Sequence, residues 1–282
     1  MTLDWLKTSF AALAAALCAL NAGCAEDGAE NSGEGTLRIE LWGEDFIEEG
    51  IPAASSPEAD DGFVDGYSIT FDKFLIALGD ISVAEEDADP ALAAAVQKIW
   101  DLTESGPFPI TSGKVPAGTY DHTAYAIAPA TAAAVAGNAD AEDVAAMSEG
   151  GYSVLVAGTA TDGSETKTFE WAFDTETVYD PCHSTAKLED GGKATVQITI
   201  HGDHLFYDDA VSSSPSLRFA DIALADTDTD GQVTQKELTE YDIKALPNYG
   251  VGSLDIDGPN LWGFISHMTT TLGHIDGEGH CE

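Results

Sequence analysis

The sequence predicts a mainly β protein, an antiparallel β-sandwich followed by a small helical region at the C-terminal end. Three observations lead to this prediction. From residue 37 to about residue 207, apolar and polar side chains alternate in short runs, which is the period of a half-buried strand. Gly, Pro and Asp clusters of the kind that form turns separate these runs. From residue 208 onward the apolar residues are spaced three or four apart, which is typical of helices.

The strands are best defined where the alternation is strict. The run "LRIELW" places Leu37, Ile39 and Leu41 on one face. A hairpin is predicted around Asp162 and Gly163, because this pair suits a tight turn that needs positive φ. The runs "YSITFDKFLIALGDISV", "HTAYAIA" and "KATVQITIH" predict further strands. Many short strands with turns between them favour an antiparallel sandwich.

Short helices are predicted in two connections and in the C-terminal region. The alanine-rich segments "DPALAAAVQ" and "AEDVAAMS" each begin at or follow an aspartate, Asp89 or Asp140, that can cap a helix. The segments "SPSLRFADIALA", "QKELTEYDIKAL" and "GPNLWGFISHMTTTLG" predict three more helices. The folded part is therefore predicted to comprise strands over residues 37–207 and helices over residues 208–282.

The first 23 residues predict a secretory signal, because their apolar run from Phe10 to Leu20 is shorter than the roughly 20 residues of a membrane-spanning helix. The following "LNAGC" resembles the lipobox of bacterial lipoproteins, although Asn21 stands where that family usually has leucine. The resemblance implies that Cys24 is lipidated and becomes the new N-terminus. The alternative is ordinary cleavage after Ala25. Both predict export.

Residues 24–36 predict a flexible tether, because they are rich in acids and glycine and have no large apolar side chain. If Cys24 is lipidated, this segment would connect the folded part to a lipid bilayer, which is then a partner of the protein. We therefore expect the protein at the outer membrane or the periplasmic face of the bacterial envelope.

The charge of the chain is strongly negative. It has 50 Asp and Glu against 11 Lys and Arg, for a formal net charge of −39. Such a surface repels phosphate backbones, which excludes nucleic acid as a partner, and it attracts divalent cations. The alternative is that the charge serves solubility alone. No protein or glycan partner can be named from the sequence.

The cysteines predict one disulfide. Of the four, Cys18 lies in the signal segment and Cys24 is lipidated or removed, which leaves Cys182 and Cys281. Two thiols in an oxidising compartment favour a bond between them. The alternative is two buried free cysteines.

Twelve residues, "DTDTDGQVTQKE" from Asp226 to Glu237, predict a calcium site. Calcium takes six to eight oxygen ligands, which a loop delivers when carboxylates recur at alternate positions around a tight bend. The stretch resembles the calcium loop of the EF-hand at every specified position, including the glycine at Gly231. The resemblance implies six ligands: Asp226, Asp228, Asp230, the backbone carbonyl of Gln232, Thr234 and Glu237. The alternative is an acidic turn that holds no ion.

EF-hands usually occur in pairs, and no second complete loop is found in the sequence. In paired hands the position of Val233 forms a short β contact with the neighbouring loop. A single loop in an exported protein looks like a structural clip rather than a sensor.

The histidines raise the possibility of a second metal site. Six of the seven follow residue 180, and His201, His204 and His274 could together bind zinc or copper. The alternative is that these imidazoles are hydrogen-bonded structural groups. His201 and His204 would lie on opposite faces of a continuous strand unless Gly202 bends the chain.

No serine elbow, zinc-protease helix, phosphate loop or dinucleotide fingerprint is present, so the chain is predicted not to be an enzyme. The leading hypothesis is a calcium-binding, exported and lipid-anchored envelope protein that serves as a binding or structural module. The alternative is a periplasmic zinc or copper protein, or a metal-dependent enzyme, that uses the C-terminal histidines.

Overall fold

The structure is a computed structural model that describes residues 33–54, 62–86, 88–251, 256, 259–277, 279 and 281. The predicted signal segment and Cys24 lie outside the described residues. Within these ranges, no helix has the length and apolar character needed to cross a bilayer.

Strands dominate the described chain, which confirms the prediction of a mainly β protein. The strands are β1 (Glu34–Trp42), β2 (Ser68–Ala84), β3 (Leu92–Ala94), β4 (Lys98–Asp101), β5 (Phe108–Pro116), β6 (Gly118–Tyr120), β7 (His122–Ile127), β8 (Val135–Ala136), β9 (Val154–Thr161), β10 (Thr166–Phe173), β11 (Thr177–Cys182), β12 (Ala186–Leu188), β13 (Lys193–Ile200), β14 (Gln232–Val233) and β15 (Gly273–Ile275). The α-helices are α1 (Glu44–Glu48), α2 (Ala141–Gly150), α3 (Ala220–Ala223), α4 (Gln235–Glu240) and α5 (Leu261–Met268).

The strands form two main sheets and one small one. One main sheet has the order β15-β13-β1-β5, and the other follows the path β11-β7-β2-β9-β10-β14, with β3, β4 and β8 attached beside β2. The small sheet pairs β12 with β6. The sheets are mixed rather than antiparallel throughout, because β1 runs parallel to β13, and β14 runs parallel to β10. Strands so far apart in sequence are not joined by a hairpin, so no tight turn imposes an antiparallel direction.

The two main sheets share one hydrophobic core. Strand β1 buries Leu37, Ile39 and Leu41, as its alternation predicts. The same apolar cluster includes side chains of β2, β9, β10 and β13, among them Phe74, Ile76, Val156, Trp171, Phe173, Val196, Ile198 and Ile200. Alternation in sequence therefore identified the inward face of β1.

Strand β2 is buried on both faces at its centre. Leu75 and Ala77 point away from the main core and pack in a second cluster with Met147 of α2. Helix α2 begins where predicted, because the Asp140 side chain accepts hydrogen bonds from the backbone N–H groups of Glu142 and Asp143. Covering the second face explains why the centre of β2 reads as a continuous apolar run.

The helix predicted after Asp89 is wrong. Residues 92–94 form β3, which pairs antiparallel with β2 through Ile81, Ser82 and Val83. Strand β2 is 17 residues long, and its far end offers backbone donors and acceptors that need a partner. Satisfying them outweighs the helix propensity of alanine, which is worth only about 1 kcal/mol per residue or less.

The C-terminal segment joins both main sheets. Strand β14 extends one sheet and β15 extends the other, while Phe219, Ile222 and Phe264 enter the shared core. Cys182, at the end of β11, lies at disulfide-bonding distance from Cys281, which is the pair predicted from the sequence.

Candidate metal centres

The acidic loop from Asp226 to Glu237 follows α3, lies against the edge of the sheet and ends in the first turn of α4. Gln232 and Val233 form β14, which pairs with Thr168 and Phe169 of β10. The Trp171 indole donates a hydrogen bond to the Val233 carbonyl at 2.9 Å, and Val233 is fully buried. The loop is therefore anchored by backbone pairing and by an apolar side chain.

Three of the four predicted carboxylates converge. One carboxylate oxygen from each of Asp226, Asp228 and Glu237 lies within 4.8 Å of the others. The backbone turns sharply between them, with φ of +62° at Thr229 and +88° at Gly231. Such values cost little for glycine but are unusual for a β-branched residue. Asp230 does not belong to this group, and its Oδ1 accepts a hydrogen bond from the N–H of Gln232 at 2.7 Å.

Asp226 has one oxygen satisfied and one without a partner. Its Oδ2 accepts hydrogen bonds from the Gly231 N–H at 3.0 Å and from the Lys167 ammonium at 2.8 Å. Its Oδ1 is buried and has no hydrogen-bond partner within the described residues. Lys167 lowers the pKa of Asp226, which keeps this carboxylate ionised. A buried anionic oxygen without a partner is costly, so its position favours a bound cation.

Glu237 is held in place by its own loop. Its Oε1 accepts from the Thr227 N–H at 3.1 Å, and its Oε2 accepts from the N–H and hydroxyl of Thr234 at 3.0 and 2.8 Å. Thr234 and Glu237 thereby form a capping box at the start of α4. Burial raises the pKa of Glu237, but the hydrogen bonds from Thr234 and Thr227 outweigh it and leave the pKa below its usual range. Both acids at the ends of the loop are therefore charged.

Lys167 was not predicted to belong to this site. Its side chain is 13% exposed and contacts Asp226 across 59 positions of sequence, with Glu165 at 3.5 Å. The sequence shows that bases are scarce, but it carries no signal for which acid a given lysine contacts. Lys167 therefore neutralises part of the negative charge of the loop.

The three predicted histidines also converge. The ring of His201 lies 4.2 Å from that of His274 and 5.2 Å from that of His204, measured between centroids. Strands β13 and β15 bring the two segments together, with Thr199 opposite His274. The backbone N–H of His201 also donates to the Leu272 carbonyl at 2.9 Å.

A bend at Gly202 brings Asp203 into the same cluster. The chain leaves β13 and enters a 3-10 turn over Gly202–Phe206, so His201 and His204 do not lie on opposite faces of a strand. A Cβ at Gly202 would lie 2.6 Å from Ile47, which explains why only glycine fits. One donor atom from each of His201, Asp203 and His204 lies within 4.8 Å of the others.

The histidine cluster is largely buried, with His201 only 6% and Asp203 only 8% exposed. Burial, together with the nearby His201, lowers the pKa of His204 to about 4, so this imidazole is neutral near pH 7. Burial also raises the pKa of Asp203, although the hydrogen bond from the Tyr207 hydroxyl at 2.9 Å opposes that effect. Neutral imidazole is the form that binds metal.

A cleft of about 420 Å³ opens beside the cluster. It is lined by His201, Asp203, Tyr207, Glu44 and Leu217, among others. Glu44 was not singled out in the sequence, yet its Oε1 lies 3.5 Å from Nε2 of His201. The backbone of Glu44 has a φ of +57° at the start of α1, an unusual conformation that is common at functional sites and that the sequence does not reveal.

Comparisons with known proteins assign neither centre. No protein family, curated protein or solved structure matches this chain.

Proposed function

We propose that the protein is a calcium-binding, exported envelope protein in which one EF-hand-like loop fastens the C-terminal segment to the sheet. The observation that carries this proposal is the buried Oδ1 of Asp226. It has no hydrogen-bond partner within the described residues, and the carboxylates of Asp228 and Glu237 converge with that of Asp226.

The chemistry of the loop favours calcium over softer ions. Its side chains offer carboxylate, hydroxyl and amide oxygens, and the twelve residues contain neither Cys nor His. Asp228 and Asp230 are exposed and can move toward an ion, while Asp226 and Glu237 are already held. The net charge of −39 adds a field that attracts divalent cations.

In a paired EF-hand the second loop provides the partner for a short β contact, and here strand β10 provides that partner. The β contact made by Gln232 and Val233 is completed by Thr168 and Phe169 of the sheet. A bound calcium would hold α3, β14 and α4 in one arrangement against that edge. This supports a structural clip whose occupancy stabilises the fold.

Calorimetric titration of chelator-treated protein tests the proposal. We expect one equivalent of calcium to bind, with magnesium binding far more weakly because it requires near-octahedral geometry and retains its waters. A rise in melting temperature with calcium should accompany binding. Protein that is shown to be metal-free and that neither binds calcium nor gains stability from it would contradict the proposal.

Replacing Lys167 by methionine should tighten calcium binding. The ammonium lies on the same carboxylate as the proposed ion, and like charges a few ångströms apart repel by several kcal/mol at an effective dielectric of about 20. We expect Kd to fall about tenfold or more. Lys236→Met is the matched control, because Lys236 is 83% exposed and should change Kd far less. Equal effects of the two substitutions would mean that Lys167 does not oppose the ion.

The membrane anchor is proposed from the sequence, since Cys24 lies outside the described residues. We expect Cys24→Ser to move the protein from the detergent phase to the aqueous phase in a detergent-partitioning assay. Cys18→Ser, in the signal segment, should leave the partitioning unchanged. Identical partitioning of wild type and Cys24→Ser would show that Cys24 is not the anchor.

A further inference from the structure

We propose that His201, Asp203 and His204 bind one divalent transition ion at the wall of the cleft, independently of the calcium loop. The site combines two imidazoles with one carboxylate and no thiolate, a ligand set that suits zinc and related ions. It belongs to the chain between β13 and α3, whereas the calcium loop begins after α3.

Each proposed ligand has an outer atom that faces a second group. Thr271 Oγ1 lies 3.0 Å from Nδ1 of His204, and the Tyr207 hydroxyl donates to Oδ2 of Asp203 at 2.9 Å. Glu44 Oε1 lies 3.5 Å from Nε2 of His201, without a hydrogen bond between them. Outer partners orient metal ligands, so Thr271 and Tyr207 fix which atoms of His204 and Asp203 remain available.

The donor atoms of the three residues lie close together. One from each lies within 4.8 Å of the others, and Oδ1 of Asp203 is 4.0 Å from Nδ1 of His201. Ligands that lie about 2.0–2.2 Å from a tetrahedral ion are about 3.3–3.6 Å apart. The three donor atoms lie within 4.8 Å of one another, so side-chain movements of about 1 Å would let them share an ion.

A purely structural role explains the cluster less well. Buried structural histidines normally have their ring nitrogens hydrogen-bonded. His201 is 6% exposed, and its Nε2 makes no hydrogen bond within the described part of the chain. A metal on Nδ1 would make Nε2 a stronger donor and draw it toward the Glu44 carboxylate.

The position of the cluster suggests an open site. Structural zinc is usually enclosed by four protein ligands, whereas three protein ligands leave a position for water or a small anion. His201 and Asp203 both line the cleft of about 420 Å³. The ring of His274 lies beside that of His201 and is the candidate for a fourth ligand.

Zinc titration in the presence of saturating calcium is the first test, because the acidic loop is then filled. We expect one equivalent of zinc to bind to wild type, and Kd to rise at least 100-fold in His204→Gln. Glu44→Gln should raise Kd about 10- to 100-fold, since it removes an outer partner only. His122→Gln is the control, because His122 lies on β7, contacts Asp180 and should leave Kd unchanged. Equal zinc affinity in wild type and His204→Gln would overturn the proposal.

Cobalt(II) provides a second measurement that does not depend on affinity alone. Bound cobalt should give visible absorption bands that change when a small anion such as azide is added, because an open position can accept it. His274→Gln should retain these bands if three protein ligands suffice. A wild-type spectrum identical to that of aqueous cobalt would contradict the site. Thermal melts of each variant in calcium provide the folding control. A variant that unfolds in a transition like that of wild type is folded, so its loss of metal binding is not a loss of structure.

Discussion

In calcium-saturated buffer, Glu237→Gln should lose most of the calcium-dependent increase in the free energy of unfolding that wild type shows. That increase is about 2.7 kcal/mol when free calcium is about 100 times Kd. The substitution removes the charge of a buried carboxylate that converges with those of Asp226 and Asp228. It also weakens the capping box with Thr234, which costs about 1 kcal/mol with or without calcium. The difference between the unfolding free energies in calcium and in chelator therefore reports the contribution of the bound ion alone.

Glu240→Gln is the matched control for that experiment. Glu240 also lies on α4, but its side chain is 64% exposed and it stands outside the loop. Denaturant unfolding of wild type and both variants, in calcium and in chelator, gives one calcium-dependent free-energy difference for each of the three proteins. If Glu237→Gln keeps the full calcium increment, the loop is only an acidic turn.

Removing the bond between Cys182 and Cys281 should destabilise the protein by about 4 to 5 kcal/mol. The two residues are 99 positions apart, and the chain-entropy model assigns a loop of about 100 residues about 4.7 kcal/mol. Cys182 is fully buried, so serine at that position adds the cost of a buried hydroxyl. The double variant Cys182→Ser, Cys281→Ser should therefore unfold at a much lower denaturant concentration than wild type.

Reduction of wild type under the same conditions provides the control, because it breaks the bond without changing the side chains to serine. Its loss of stability should be similar to, or slightly smaller than, that of the double variant. Intact mass after alkylation without reduction should show both thiols protected. Alkylation of both cysteines in the folded, unreduced protein would contradict the prediction of a disulfide.

Patterns that act over a few residues were predicted well from the sequence. The alternation of Leu37, Ile39 and Leu41 gave the buried face of β1, and Asp140 marked the start of α2. The turn at Asp162 and Gly163 connects β9 and β10, which pair antiparallel as a hairpin, with Gly163 at φ +85°. Each of these features is decided by neighbouring side chains and local backbone geometry.

Strand pairings that depend on a distant partner were not predicted. The alanine-rich segment after Asp89 forms β3 because β2 needs a partner, and β1 runs parallel to β13, about 160 positions away. Local propensity is worth about 1 kcal/mol per residue or less, whereas an unpaired buried backbone group costs about 1 to 3 kcal/mol. Tertiary pairing therefore overrides propensity wherever the two conflict.

The candidate sites divide in the same way. Spacing alone identified the acidic loop, because ligands for one ion can lie within twelve consecutive residues, and the carboxylates of Asp226, Asp228 and Glu237 do converge. Only the tertiary structure placed Lys167 on Asp226 and aligned Val233 with strand β10. The histidines were candidates by type, but their convergence required the bend at Gly202 and the pairing of β13 with β15. Sequence determines which groups a segment can offer, and packing between distant segments determines which of those groups meet.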